Sequence, residues 1–206
     1  MCYSVYPALA EVQHFESMLP VQADTAAARA LRLARRRFLA PERIDMSALA
    51  ADLGVNRVTL YRWVGSRDKL LVELVWDLAN QGLDTAKAQT SARGAERVVS
   101  VVRHFLELVI DNAGMQRWLA EEGEHAMRLL TRHDAGFQPR LIDAIRDLLE
   151  EETRSGQLDL PADLHEVAYV IVRLIESYTY LDLITGETPD ARRAEPILRM
   201  LVRADP

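Results

Sequence analysis

Residues 46–64 read MSALAADLGVNRVTLYRWV. Two short helical patterns meet at Gly54, with Ala50 before it and Leu60 after it. That spacing is the one a helix-turn-helix requires. Position 50 must be small where two helices cross closely, and glycine at 54 permits a sharp turn through the left-handed region. Leu49, Leu53, Val55, Val58 and Leu60 are assigned to the core the two helices share. Asp45 and Asn56 precede the helices with side chains suited to capping. The second helix then exposes Arg57, Thr59, Tyr61, Arg62 and Trp63. Such a helix fits a DNA major groove, about 12 Å wide. An ordinary helical hairpin also favours glycine at its turn, so this spacing alone leaves both readings open.

Outward from this pair the pattern stays helical. Ala27, Ala30, Leu31, Ala34 and Phe38 recur at three-to-four spacing, Arg29, Arg32 and Arg36 lie opposite, and Pro41 ends the run. After Gly65, Ser66 caps a long helix carrying Leu70, Leu71, Leu74, Val75 and Leu78 on one side. Beyond Gly94 the apolar periodicity predicts helices over 95–112, 115–132, 139–154, 162–185 and 189–203. No stretch alternates as a strand. Nine glycines and eight prolines in 206 residues are thin for a sandwich or barrel of many turns. The expected fold is all-α with about nine helices. It divides into an arm over 1–22, a three-helix region over 23–68 and a larger region over 69–206.

The formal net charge is -6, which by itself argues against a nucleic-acid partner. The average conceals a division. Residues 20–70 hold ten Arg or Lys against five acids, whereas residues 71–206 hold fifteen against twenty-four. A basic third joined to an acidic remainder suggests two jobs in one chain. Cys2 is the only cysteine, which excludes an intrachain disulfide and fits a reducing, cytoplasmic setting. No base precedes Arg29, so no secretory signal pattern is expected, and no apolar run reaches a membrane span.

Residues 60–74, LYRWVGSRDKLLVEL, resemble the signature of the TetR family of bacterial repressors. The family's three-helix DNA-binding region ends in Leu-Tyr-x-[His/Tyr/Trp]-[Phe/Val], here Leu60-Tyr61-Arg62-Trp63-Val64. A short turn, Gly65-Ser66, a base, Arg67, and the pair Leu70-Leu71 follow. With LAADLGV ahead of it, the resemblance covers residues 24–80, and residues 120–200 resemble the QsdR-type branch, regulators of lactone-signal degradation. The resemblance implies a ligand-responsive transcriptional regulator, a repressor, that binds a near-palindromic operator in double-stranded DNA as a homodimer. It places Arg57 and Thr59 at base or phosphate contacts and Tyr61 at a phosphate. Trp63 falls on a backbone-contact position, and Arg67 points at phosphate from the start of the next helix. Arg62 is open between a guanine contact and a solvent-facing role. Residues 1–22 carry no Lys or Arg, unlike the basic arms common in the family, so this arm is expected to pack on protein.

For the acidic remainder the resemblance implies ligand binding and dimerisation. The residues support both independently. Val170, Leu174, Tyr178 and Leu181 form one stripe, and Ile197, Leu198 and Leu201 add another, more apolar than a monomer's surface needs. Tyr169, Arg173, Glu176 and Tyr180 share a helix face. Two readings stand for them: a structural Arg173–Glu176 pair, or the floor of a pocket for a carbonyl-bearing amphipathic effector such as a lactone or acyl compound. Phe105, Trp118, Met127 and Phe137 are further pocket candidates or plain core. No cofactor and no metal are expected, and no catalytic constellation is seen. Two other classes compete: a helical co-regulator without DNA binding, and a di-iron bundle enzyme using Glu122-x-x-His125, whose only second copy is Glu11-x-x-His14.

Overall fold

The computed structural model describes residues 25–160 and 162–203. The arm expected over 1–22 lies outside them. Among the described residues there are ten α-helices, two 3-10 turns and no strand, so the all-α expectation holds. Three short helices come first: α1 (Ala26–Leu39), α2 (Met46–Asp52) and α3 (Arg57–Val64). Each begins at a side-chain cap. Thr25 accepts from the Ala28 N–H, Asp45 from those of Ser47 and Ala48, and Asn56 from that of Thr59. A cap of this kind contributes about 1 kcal/mol. Gly54 makes the α2–α3 turn at φ +68°, where a side chain would be strained. Ala30, Ala34 and Phe38 of α1 bury with Leu49 and Ala50 of α2 and Leu60 of α3. Val58 does not join that core. It is 77% exposed, because α3 turns Leu60 inward and Val58, two residues earlier, lies about 200° round the helix.

The long helix α4 (Arg67–Ala88), capped by Ser66, leads from this head into the body. There follow α5 (Gly94–Ile110), α6 (Ala113–Thr131), α7 (Phe137–Arg154), α8 (Leu164–Thr179), α9 (Leu181–Thr185) and α10 (Glu195–Val202). α5 is central and touches α4, α6, α7, α8 and α10. Its Val98, Val101, Val102, Phe105 and Leu106 are all buried. Head and body meet tightly at α1 and α6. Phe38 packs edge-on against Trp118, with ring centroids 6.1 Å apart. At Gly114 a Cβ would fall 2.1 Å from the Phe38 carbonyl oxygen, so only glycine lets the two backbones approach this closely.

Three helices differ from the sequence expectation. The run expected over 162–185 starts at Leu164 and breaks at Tyr180. Thr179, Tyr180 and Leu181 are all buried. Three successive positions span about 200° of a straight helix, so one face cannot bury them all and the axis bends. The last helix begins at Glu195 rather than near 189, after a 3-10 turn over Ala191–Arg193 whose start Asp190 caps. α6 is bent at Glu122, where φ is -137° and ψ 33°. The next residue is Gly123, the helix former least resistant to a kink. Among the described residues, no helix is long and apolar enough to cross a membrane.

Candidate nucleic-acid interface and effector cavity

The outward face of α3 is continuous. Arg57, Val58, Tyr61 and Arg62 are exposed, Thr59 and Trp63 half-buried. The Arg57 guanidinium lies over the Tyr61 ring, 5.8 Å from its centroid, which holds both side chains on one side of the helix. Trp63 leans on the core with one side of its indole. Of the six residues the sequence singles out for DNA, five therefore share this helix and its rim. The sequence reading assigned Val58 to the core rather than to this face. Its methyls sit among the polar groups where an apolar contact to a thymine methyl is chemically apt. Helical spacing from Leu60 carried the signal.

Arg67 is placed differently from the phosphate-facing position that the resemblance implies. All three of its guanidinium nitrogens bond within the protein. Nε donates to the Ile44 carbonyl at 2.8 Å, and the two terminal nitrogens donate to the Glu122 carboxylate at 2.7 and 2.8 Å. The pair is largely buried, with side chains 24% and 16% exposed. The Arg67 hydrogen bond holds the Glu122 carboxyl below the ordinary carboxylate range, against the opposing effect of burial. One turn further along α6, His125 Nε2 lies 2.9 Å from Asp68 Oδ1. The Glu122 and His125 side chains thus reach two successive residues at the start of α4. They do not converge on one point, as a metal pair would. Arg35 and Arg37 are also engaged internally, with Asp77 and Gln81 and with Asp52 respectively.

A cavity of about 320 Å3 opens between the second half of α6 and the junction of α8 with α9. It gathers Met127, Arg173, Glu176 and Tyr180 from the expected ligand residues. It adds Arg128, next to Met127, and Thr131, Ser177 and Ile184, each one helical turn from a residue already chosen but not themselves singled out. Phe105, Trp118 and Phe137 are buried core elsewhere, and Tyr169 is exposed beyond the cavity. Both readings of Arg173 and Glu176 meet in one geometry. Arg173 Nη1 stands 2.5 Å from Glu176 Oε2, and both residues line the cavity. Glu176 is 5% exposed, and Gln138 donates to its Oε1 at 3.1 Å. Burial pushes the Glu176 carboxyl up, with Gln138 and Arg173 pulling the other way. The Tyr180 phenol is pushed up as well, first by burial and then by Glu176.

The apolar stripes also resolve by face. Val170, Ile197 and Met200 are exposed, and Leu174 and Leu201 half-buried. Leu198 and Leu181 are buried within the chain, and Tyr178 donates its hydroxyl to the Arg193 carbonyl. Leu198 and Leu181 therefore belong to the chain's own core.

Residues 93–203 match the protein family described as "Tetracyclin repressor-like, C-terminal domain". The chain belongs to the TetR family of DNA-binding, ligand-binding transcriptional regulators. Its structure resembles that of QsdR, a TetR-family transcriptional repressor from R. erythropolis. The two are 25% identical with a TM-score of 0.80, over 90% of this chain and 98% of that one. The fold is also similar to that of FadR from Bacillus subtilis, solved with stearoyl-CoA (14% identity, TM-score 0.58, 87% of this chain and 99% of the other). It is likewise similar to RolR, solved with resorcinol (16% identity, TM-score 0.54, 84% and 90%). No curated protein matches the chain closely enough to count as a relative.

Proposed function

We propose that this regulator is a repressor that binds a near-palindromic operator as a homodimer and is released by a small amphipathic effector. The observation that carries the DNA reading is the capped α3 with Arg57, Val58, Tyr61 and Arg62 on one exposed face. On this reading residues 23–68 form the DNA-binding unit and 69–206 the effector and dimer unit. Arg57, Thr59, Tyr61, Arg62 and Trp63 make the base and phosphate contacts. Val170, Leu174, Ile197, Met200 and Leu201 form the two-fold interface, since exposed apolar side chains clustered on two helices call for a partner. The cavity bounded by Met127, Arg173 and Glu176 takes the effector, a lactone or a related acyl compound, as the sequence resemblance over residues 120–200 implies.

Coupling between the two ends runs through α6. Its second half lines the cavity, its bend carries Glu122, and Glu122 grips Arg67 three residues after the end of α3. An effector that shifts this half-helix moves the start of α4 and hence the spacing of the two reading heads. Coupling energies of this kind are about 1–3 kcal/mol.

The test is operator binding across a salt series. Affinity for the chain's own promoter DNA is expected to fall steeply with salt, and Arg57→Ala to flatten that dependence. Tyr61→Phe is expected to weaken all sequences alike, because phosphate contacts carry no sequence information. Unchanged binding in both variants would favour the co-regulator reading without DNA.

A further inference from the structure

The cavity is richer in hydrogen-bond donors than a neutral ester needs. Two guanidiniums, Arg128 and Arg173, line it beside the single carboxylate of Glu176, a net charge of +1. Arg128 is exposed on α6, and its one contact among the described residues is a 3.3 Å approach to His125 Nδ1. Most of its donors are thus available to a ligand. Arg173 is half-neutralised by Glu176, yet its side chain is 46% exposed and keeps donors on the outer side. Deeper in, Tyr180 is 4% exposed and lines the cavity. Glu176 Oε2 is buried beside Arg173 without an aligned hydrogen bond. Met127 and Ile184 supply the apolar walls.

The geometry points to an amphipathic hydroxycarboxylate as the effector, the ring-opened form of a lactone rather than the lactone. This deepens the reading of the cavity as the effector site and rests on it. The carboxylate sits at Arg128 and the outer edge of Arg173, where charge-assisted bonds form. The hydroxyl reaches inward, accepting from Tyr180 and donating to Glu176, which gives the buried Glu176 Oε2 an aligned donor. The alkyl part lies along Met127 and Ile184. A lactone cannot do the same. It has two acceptor oxygens and no donor, so it adds no hydrogen bond at Glu176 Oε2 and gives Arg128 no anion to meet. At about 320 Å3 the cavity lies at the small end of the ~300–1,000 Å3 range of ligand pockets, which suits a short-chain hydroxy acid.

The test is calorimetric titration of the full-length protein with 4-hydroxyoctanoate, γ-octalactone and octanoate, each followed by operator release. The hydroxy acid is expected to bind at least tenfold tighter than the lactone or the deoxy acid. Arg128→Gln is expected to cost the hydroxy acid about tenfold and the lactone less than twofold, and Tyr180→Phe to erase the advantage over octanoate. Lactone binding as tight as that of the acid and indifferent to Arg128→Gln would overturn the hydroxycarboxylate assignment and leave the cavity reading standing. If operator binding is intact and none of the three compounds binds, the cavity reading falls with it.

Discussion

Glu122→Gln removes one charge from the joint between head and body and leaves its shape nearly intact. In the folded chain the Glu122 carboxylate takes two hydrogen bonds from Arg67, at 2.7 and 2.8 Å, and Arg43 stands 3.5 Å away. Breaking a fully buried ion pair costs about 3–5 kcal/mol, whereas exposed pairs contribute about 0.2–1 kcal/mol. With side chains 16% and 24% exposed, this pair falls between the two limits, at about 2 kcal/mol. The variant is therefore expected to lower unfolding stability by about 2 kcal/mol in urea, and Arg67→Gln by a similar amount. The double variant should cost little more than either single one, a coupling of about 1–2 kcal/mol. Operator binding separates the internal joint from a phosphate contact. An Arg67 that serves DNA gives a salt slope smaller by about 0.9 per head when it is removed, and Glu122→Gln, which frees it, tightens binding. An Arg67 that serves the joint gives both variants the same DNA phenotype. Opposite effects of the two variants on operator affinity would refute the joint. The sign of the pH dependence is also set. Glu122 has its carboxyl lowered in the folded state. Its contribution is complete above the unfolded carboxylate value of about 4.3 and is lost as the pH falls through the folded value.

Glu176 behaves in the opposite sense: its folded carboxyl is raised, so ionising it costs stability as the pH rises above the unfolded value through the folded one. Glu176→Gln is expected to be more stable than wild type at pH 7 and equal to it near pH 4; a less stable variant at pH 7 would show that the Arg173 pair outweighs burial. Ile197→Glu leaves the protomer folded, because Ile197 faces outward, but places unpaired charges in the proposed two-fold interface. Sedimentation should then show monomers, and dimers persisting at micromolar concentration would move the interface elsewhere. Gly114→Ala pushes a methyl into the Phe38 carbonyl and is expected to cost about 1–3 kcal/mol in urea unfolding; an unaffected midpoint would mean α1 and α6 slide apart freely.

The head was legible in the sequence because its signals are local. Asp45, Asn56 and Ser66 cap helices within three residues of themselves, and Gly54 turns the chain on its own. The features that were missed depend on partners far along the chain. Nothing within reach of Arg67 in sequence announces Glu122, fifty-five residues away. Val58 was assigned to the core on its apolar character, yet its helix has only one inward position in that turn, and Leu60 fills it. Periodicity marked 162–185 and 189–203 as apolar helices without showing which side of each faced the chain's own core. It therefore placed Leu181 and Leu198 with Val170 and Ile197, although the first two are buried and the others exposed. For the cavity, Met127, Arg173, Glu176 and Tyr180 were found by character and spacing. The aromatic candidates Phe105, Trp118 and Phe137 proved to be core, because large aromatic side chains bury wherever helices meet.

The charge division along the chain takes on a different meaning once the internal pairs are known. Ten bases between residues 20 and 70 suggest a broad cationic face. Three of them, Arg35, Arg37 and Arg67, bind Asp77, Asp52 and Glu122 within the protein. Two of those acids, Asp77 and Glu122, come from outside the three short helices, so part of the basic excess attaches the head to the acidic body. Of the other seven, Arg57 and Arg62 stand exposed on α3, and Arg29, Arg36, Arg43 and Lys69 are exposed elsewhere on the head and at the start of α4. Each phosphate neutralised adds about 0.9 to the salt slope of binding. A slope near that of ten contacts per head would require Arg35, Arg37 and Arg67 to abandon their partners on DNA. A smaller slope means that these bonds survive binding. In that case the head is held at a set angle to the body, and a shift at the α6 bend is transmitted to α3 without loss at the joint.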